Sequence, residues 1–112
     1  MKKSEFTLFI DTSNSSQTVV KLIQEGLTLN EKIEKTDPRT KSQNVLPLIE
    51  QMLHEHELKL SDLTEIEVNP GPGSFTGVRV GVSVANTLGW VLGIPVNGKK
   101  IEVPMYEKSK FD

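Results

Sequence analysis

Apolar and polar residues alternate along the first third of the chain, at the period of two that is typical of β-strands. Residues 5–11 predict a strand that is largely buried on both faces, because Phe9 stands opposite the other apolar side chains. The polar run 12–16 predicts a turn, since its short side chains bond readily to their own backbone. A second strand over 17–23 and a half-exposed third strand over 27–36 are expected to follow and to pair with each other.

The period changes to that of a helix over residues 42–56, where apolar side chains recur every three or four positions. Pro47 has no amide hydrogen, so this helix is expected to begin within residues 42–44 or to bend at the proline. A short polar link then leads to residues 63–68, whose alternation predicts a fourth strand.

Residues 77–92 carry two competing patterns. Their valines alternate with polar or small residues as in a strand, but small residues recur at every fourth position. The run also ends in Gly93 with an apolar residue and a proline beyond, which is typical of the end of a helix. We therefore predict a second helix, with apolar and small side chains over about 200° of its circumference. Trp90 falls in the polar sector, either as an anchor at the rim of a contact or packed under the C-terminal tail.

A short last strand over 94–97 completes the element order β-β-β-α-β-α-β. Three antiparallel strands followed by α-β crossovers predict an α/β (α+β) fold with one mixed sheet. Residues 1–98 would form this single lobe. Residues 99–112 would form a polar tail, as an extra strand or in disorder.

Composition restricts the kinds of partner. The 112 residues are 36% apolar and 25% charged, with a net charge of -2, which argues against a nucleic-acid or anionic membrane surface. Polar residues interrupt the longest apolar stretch, so no membrane span is predicted. There is no cysteine and the N-terminus has too short an apolar run for a signal peptide, so we expect a cytoplasmic protein.

The glycine-rich loop at residues 71–77, GPGSFTG, invites comparison with phosphate-binding motifs. It is no P-loop, because the spacing fails and no lysine follows Gly77. A dinucleotide fingerprint fails as well, since Gly77 comes one residue late and no acidic residue lies about 20 positions on. A structural turn is favoured, and a small phosphate- or nucleotide-binding enzyme that uses Asp11 and this loop is the alternative. The residues of the predicted structural loop are Gly71 and Gly73, for their dihedral freedom, and Ser74 or Thr76, to cap the second helix.

The candidate metal and catalytic residues are few. His54 and His56 are two apart on a helix and so point away from each other, unlike an i, i+4 metal pair. His56 is expected at the edge of the core and His54 in solvent. We predict no metal site, no catalytic residues and no cofactor.

Several stretches together resemble the TsaB (YeaZ-like) family: IDTSNSS, SQNVLPLI, LSDLTEIEV, GPGSFTGVRVGVSVANTLG and LGIPVNG, in this order over residues 6–98. The resemblance implies an actin-like ATPase lobe related to ribonuclease H. It also implies a non-catalytic role beside TsaD in making threonylcarbamoyladenosine at position 37 of tRNA. Where that family has a histidine before the Ser-Gln of the first helix, this chain has Lys41. The family's second lobe has no counterpart in these residues.

In that family the two helices form the pairing surface, with TsaD or with a second copy. Here the stripe of small residues would let a neighbouring helix approach closely, either the first helix of the same chain or a helix of a partner. The residues predicted at this interface are Val45, Leu48, Ile49, Met52, Gly77, Val78, Gly81, Val82, Ala85 and Gly89. The partners expected are a TsaD-like subunit, a homodimer, or both, with a TsaE-like ATPase in a larger complex. A degenerate copy that only associates with itself is the further alternative.

Overall fold

A four-stranded mixed sheet forms the centre of the computed structural model, which describes residues 4–37 and 40–99. The strands are β1 (Phe6–Asp11), β2 (Gln17–Gln24), β3 (Leu27–Lys35) and β4 (Glu65–Val68), and their order in the sheet is β3-β2-β1-β4. β1 pairs antiparallel with β2 and parallel with β4, and β2 pairs antiparallel with β3. The first four predicted strands and their mixed pairing are confirmed.

Two helices cover one face of this sheet. They are α1 (Lys41–Glu55) and α2 (Phe75–Leu92), and a single 3-10 turn (Leu60–Asp62) follows α1. The helical interpretation of the ambiguous valine segment is confirmed. Ser74 caps α2 by accepting a hydrogen bond from the Gly77 amide at 3.3 Å, and Gly93 ends the helix with a left-handed φ of 70°.

The helix α1 begins slightly earlier than predicted, at Lys41. Thr40 precedes it without a side-chain cap, and Pro47 lies inside the helix rather than in its opening turn. The turn before the helix is instead closed by Asp37, whose carboxylate accepts a hydrogen bond from the Thr40 amide at 3.1 Å.

The hydrophobic core lies between the helices and one face of the sheet. Leu8 and Ile10 of β1 are fully buried there, and their partners across the strands, Leu22 and Val20, are buried on the same face. The residues of opposite parity, among them Phe9, Ile33 and Glu67, point away from both helices. We call this second surface, with its half-buried and exposed side chains, the open face. None of the helices that the structure describes is long and apolar enough to cross a membrane.

The predicted last strand over 94–97 is wrong in extent. Val96 forms one parallel bridge with Ile66 and then one antiparallel bridge with Lys99. The reason is Asn97, which has a left-handed φ of 52° and turns the chain back. Its side-chain amide pairs with Val68 in place of a strand, donating to the carbonyl and accepting from the amide, each at 2.8 Å. The predicted tail from residue 100 onwards lies outside the described residues.

The small residues of α2 pack against the chain's own sheet. A Cβ added at Gly77 would collide with the backbone carbonyl of Thr12, and one added at Gly81 with the side chain of Thr12. At Gly89 it would come within 2.6 Å of a methyl group of Val96. The neighbour that the stripe accommodates is therefore the end of β1 and the segment after α2, rather than another helix.

Replacing Gly77 by alanine should destabilise the fold by about 1–3 kcal/mol, because the obstructing atom belongs to the backbone and cannot rotate away. In an unobstructed helix the same change stabilises by about 1 kcal/mol. Urea unfolding measures the difference, and Ser83→Ala on the exposed side of α2 is the matched control, expected within about 0.5 kcal/mol of the parent. A Gly77→Ala protein as stable as the parent would contradict the packing described here.

Candidate functional site

A polar network joins the carboxyl ends of the parallel strands β1 and β4, where α/β proteins commonly bind ligands. Asp11 accepts hydrogen bonds from Ser13 through one carboxylate oxygen, at 2.9 Å from the amide and 2.7 Å from the hydroxyl. Asn69 reaches the other oxygen with its side-chain amide at 3.3 Å and the Ser13 hydroxyl at 3.1 Å. Both oxygens of the carboxylate therefore serve contacts within the chain.

Two amides of the glycine-rich loop are likewise engaged within the chain. Pro70 and Pro72 have no amide hydrogen, Gly71 donates to the Asn69 side chain at 3.0 Å, and Ser74 donates to the Ser13 carbonyl at 3.0 Å. A phosphate cradle requires such amides to point at the ligand. These contacts favour the structural interpretation of the loop over the phosphate-binding one.

The four predicted loop residues have distinct roles. Gly71 has a φ of 107°, as its predicted dihedral freedom requires. Gly73 is needed for space instead, since an added Cβ would lie 2.7 Å from the Cβ of Ser13. Of the two possible caps, Ser74 caps α2, whereas Thr76 is exposed in its first turn.

Lys41 is the polar residue at this end of the lobe that sequence reasoning did not place in a site. Only 1% of it is exposed, and its ammonium donates to the carbonyls of Asn14 at 2.7 Å and Gln17 at 2.6 Å. Burial lowers the pKa of Lys41, and the nearby carboxylate of Asp11 partly offsets this. The side chain thus fastens the start of α1 to the β1–β2 turn. The one signal for this role in the sequence was that Lys41 replaces the histidine that the TsaB (YeaZ-like) family has at this position.

All ten residues predicted at the partner interface are buried within the chain itself. Those of α1 are Val45, Leu48, Ile49 and Met52, and those of α2 are Gly77, Val78, Gly81, Val82, Ala85 and Gly89. A residue that fills its own core cannot also form the outer surface of the same fold. A bulky charge at Gly81 or Ala85 would consequently disrupt folding, rather than leave a folded monomer that no longer pairs.

The exposed apolar side chains of the two helices are different ones. Phe75 is 49% exposed, Leu46 is 41% exposed, and the guanidinium of Arg79 lies over the Phe75 ring at 5.3 Å from its centroid. A shallow groove lies beside these side chains, between the start of α1 and the outer side of α2. We call this surface the helix groove; it is lined by Ser42, Phe75, Thr76, Arg79, Val80, Ser83 and Val84.

Trp90 lies at the other end of α2, with 79% of its surface exposed. It borders a second small pocket with Gly89, Gly93, Ile94, Pro95, Gly98 and Lys99. This exposure is compatible with the first of the two predicted roles, a side chain at the rim of a contact. The other interpretation, packing under the tail, concerns residues outside the described ranges.

The two histidines lie as expected, with His56 half-buried near the Asn30 side chain at 3.2 Å and His54 exposed. Among residues 4–37 and 40–99, no three histidine, cysteine, aspartate or glutamate side chains are grouped as a metal site would need.

Comparison with known proteins identifies the family. The model of the TsaD family, tRNA N6-adenosine threonylcarbamoyltransferase, matches residues 32–99. The tRNA threonylcarbamoyladenosine biosynthesis protein TsaB of Bacillus subtilis is 38% identical over 90 residues, which are 80% of this chain and 38% of that protein. The chain belongs to the TsaB (YeaZ) family. TsaB of Escherichia coli is 35% identical over 91 residues, again 38% of its own length.

The solved structures agree with this assignment. YeaZ from Pseudomonas aeruginosa superposes with a TM-score of 0.74 at 35% identity, over 82% of this chain and 42% of that one. The TsaB-like lobe therefore has the predicted actin-like, ribonuclease H-like fold. The chain spans about two fifths of the length of these TsaB and YeaZ relatives.

Replacing Lys41 by methionine should destabilise the lobe by about 1–3 kcal/mol, since the carbonyls of Asn14 and Gln17 would lose the hydrogen bonds from the ammonium. Urea unfolding near neutral pH measures this. Gln51→Met on the exposed side of α1 is the control for the introduced side chain. Equal stability of Lys41→Met and the parent would show that the turn does not depend on the ammonium.

The parent should also gain stability relative to Lys41→Met as the pH rises toward 10.5. Because the pKa of Lys41 is lowered on folding, the unfolded chain binds more protons than the folded chain in the window below the unfolded value of 10.5. Stability therefore increases with pH across that window, and the variant lacks this increase. Unfolding curves over an alkaline pH series measure the difference, and a difference that shrinks with rising pH would contradict the assignment.

Proposed function

We propose that this chain is a non-catalytic partner subunit in tRNA threonylcarbamoyladenosine biosynthesis, and that it pairs with a TsaD-like subunit through the helix groove. Its family membership supports the pathway, because the curated relatives carry that name. The observation that carries the pairing surface is the exposed Phe75 with Arg79 stacked over it, beside a groove between two helices.

The chemistry of the groove suits a protein partner. Aromatic residues and arginine are enriched among the residues that dominate binding energy at interfaces. The rest of the lining is small or aliphatic, and a groove between helices can accept the ridges of a partner helix. Two helices from each subunit would then meet in a four-helix contact. A TsaE-like ATPase would join through surfaces other than this groove.

The polar network at the strand ends supports the non-catalytic part of the proposal. Both carboxylate oxygens of Asp11 accept hydrogen bonds from within the chain, from Ser13 and Asn69, so its position is explained by the turn that it stabilises. The loop that follows also directs the amides of Gly71 and Ser74 inward. The arrangement holds α2 in place, and in this proposal the TsaD-like subunit carries out the catalytic reaction.

Phe75→Ala should weaken binding to the TsaD-like subunit of the same organism about tenfold, since a central aromatic anchor is worth more than about 1 kcal/mol. Isothermal titration calorimetry with the two purified proteins measures this. Trp90→Ala is the matched control, because Trp90 is a more exposed aromatic residue of the same helix outside the groove. Its affinity should stay within about twofold of the parent. The opposite result, with Trp90→Ala weakened and Phe75→Ala unchanged, would move the contact to the other end of α2.

A further inference from the structure

The chain reverses beside β4 in a tight hairpin turn at Asn97 and Gly98. Both residues have a left-handed φ, of 52° and 75°. The Val96 amide donates to the Lys99 carbonyl at 2.7 Å, and the Lys99 amide donates to the Val96 carbonyl at 2.9 Å. Two-residue hairpin turns with positive φ at both central positions favour the sequence Asn-Gly. The conformation of the turn therefore accounts for this pair of residues.

An asparagine followed by glycine is also a reactive pair. The backbone nitrogen of the glycine can attack the side-chain carboxamide carbon, so that a new N–C bond closes a succinimide ring. The bond from that carbon to the side-chain nitrogen breaks, and this nitrogen leaves as ammonia with the proton of the attacking amide. Water then opens the ring at either carbonyl and leaves aspartate or isoaspartate. Glycine hinders the attack least because it has no side chain, and asparagine is one of the thermolabile residues of proteins.

Asn97 is the one asparagine among six in the chain that precedes a glycine. The residues that follow the other five are Ser15, Glu31, Val45, Pro70 and Thr87. Each of these has a side chain that crowds the attacking nitrogen, and the proline has no amide hydrogen to lose. Gly98 is exposed and Asn97 is half-buried, so solvent reaches the turn. The sequence and the exposure both single out this position for deamidation.

The folded chain holds the carboxamide of Asn97 on β4. Its nitrogen donates to the Val68 carbonyl and its oxygen accepts from the Val68 amide, each at 2.8 Å. Attack requires the carboxamide carbon to meet the Gly98 nitrogen in an aligned near-attack geometry. A carboxamide that is bonded to β4 at both its nitrogen and its oxygen is not free to turn onto that nitrogen. The pairing with Val68 must therefore open before the ring can close.

We propose that Asn97 is a deamidation site whose reaction is controlled by its pairing with Val68. The reaction proceeds from the form in which this edge of the sheet is locally open. Its rate therefore follows the population of the open form, as does proteolysis of a segment that opens and closes rapidly.

The product cannot restore the original pairing. An aspartate at position 97 is ionised at neutral pH. Its carboxylate can accept from the Val68 amide, but it has no proton to donate to the Val68 carbonyl, so two oxygens would meet there. Isoaspartate also lengthens the backbone of the turn by one carbon atom. Deamidation of the open form consequently keeps the edge from closing as before.

The consequence reaches the polar network at the strand ends. Val68 directly precedes Asn69, whose side chain contacts Asp11 and Ser13 and whose amide donates to the Ile10 carbonyl at 3.0 Å. Opening at Val68 therefore loosens the end of β4 next to that network. Residues 68 and 97 are not among those that line the helix groove, so the inference does not depend on the proposed function.

Peptide mapping by mass spectrometry of the 112-residue chain, after incubation at mildly alkaline pH, tests the proposal. Cleavage after Arg79 and Lys99 gives one peptide, 80–99, that contains both Asn97 and the internal control Asn86. In guanidinium chloride, where the pairing is lost, Asn97 should deamidate about tenfold or more faster than Asn86, because glycine follows it. In the folded chain the rate at Asn97 should be about tenfold or more below its rate in guanidinium chloride, since two hydrogen bonds must open.

Two matched variants separate local opening from global unfolding. Val96→Ala shortens a fully buried side chain beside the turn, and Val45→Ala makes the same change in α1. Without denaturant, Val96→Ala should raise the rate at Asn97 severalfold more than Val45→Ala does, whereas both variants should match the parent in guanidinium chloride. Equal acceleration by the two variants would overturn local control. So would equal rates at Asn97 in the folded and the unfolded parent, and an Asn97 no faster than Asn86 in guanidinium chloride would show that it is no such site.

The effect of the product is measured on Asn97→Asp by hydrogen exchange. The Ile66 amide donates to the Pro95 carbonyl at 3.0 Å across the same edge, and it should exchange about tenfold or more faster than in the parent. Gln51→Glu, the same exchange of amide for carboxylate on the exposed side of α1, is the control and should leave this rate unchanged. The deamidated parent, separated by ion exchange, provides the same measurement should Asn97→Asp not fold. Exchange at the parent's rate would contradict the loss of pairing.

Discussion

The close contact between Thr12 and the glycines of α2 is the constraint on which the rest of the lobe depends. Thr12 is fully buried, and its hydroxyl donates a hydrogen bond to the Gly77 carbonyl. Its own carbonyl lies where a side chain at residue 77 would have to be. A helix with a Cβ at this position would be pushed away from the sheet, and Val78 and Val82 would lose part of their burial.

The same contact determines what the neighbouring loop can do. With the start of α2 held against the end of β1, Ser74 donates to the Ser13 carbonyl and Asn69 reaches Asp11. The half-buried polar groups of the strand ends consequently hydrogen-bond to one another. The N-terminal half of α2 then directs Phe75 and Arg79 outward, where they line the helix groove.

Much of the fold could be predicted from periodicity, because the strands alternate at two and α1 repeats near 3.6. The glycine repeat correctly indicated a helix that another backbone approaches closely. It could not indicate which backbone, since small side chains at every fourth position suit a strand end as well as a second helix. The predicted interface residues therefore lie on the buried side of both helices. The role of Asn97 could not be predicted either. Its side-chain amide pairs with the backbone of Val68 in place of a strand, and a single side chain leaves no periodic pattern in the sequence.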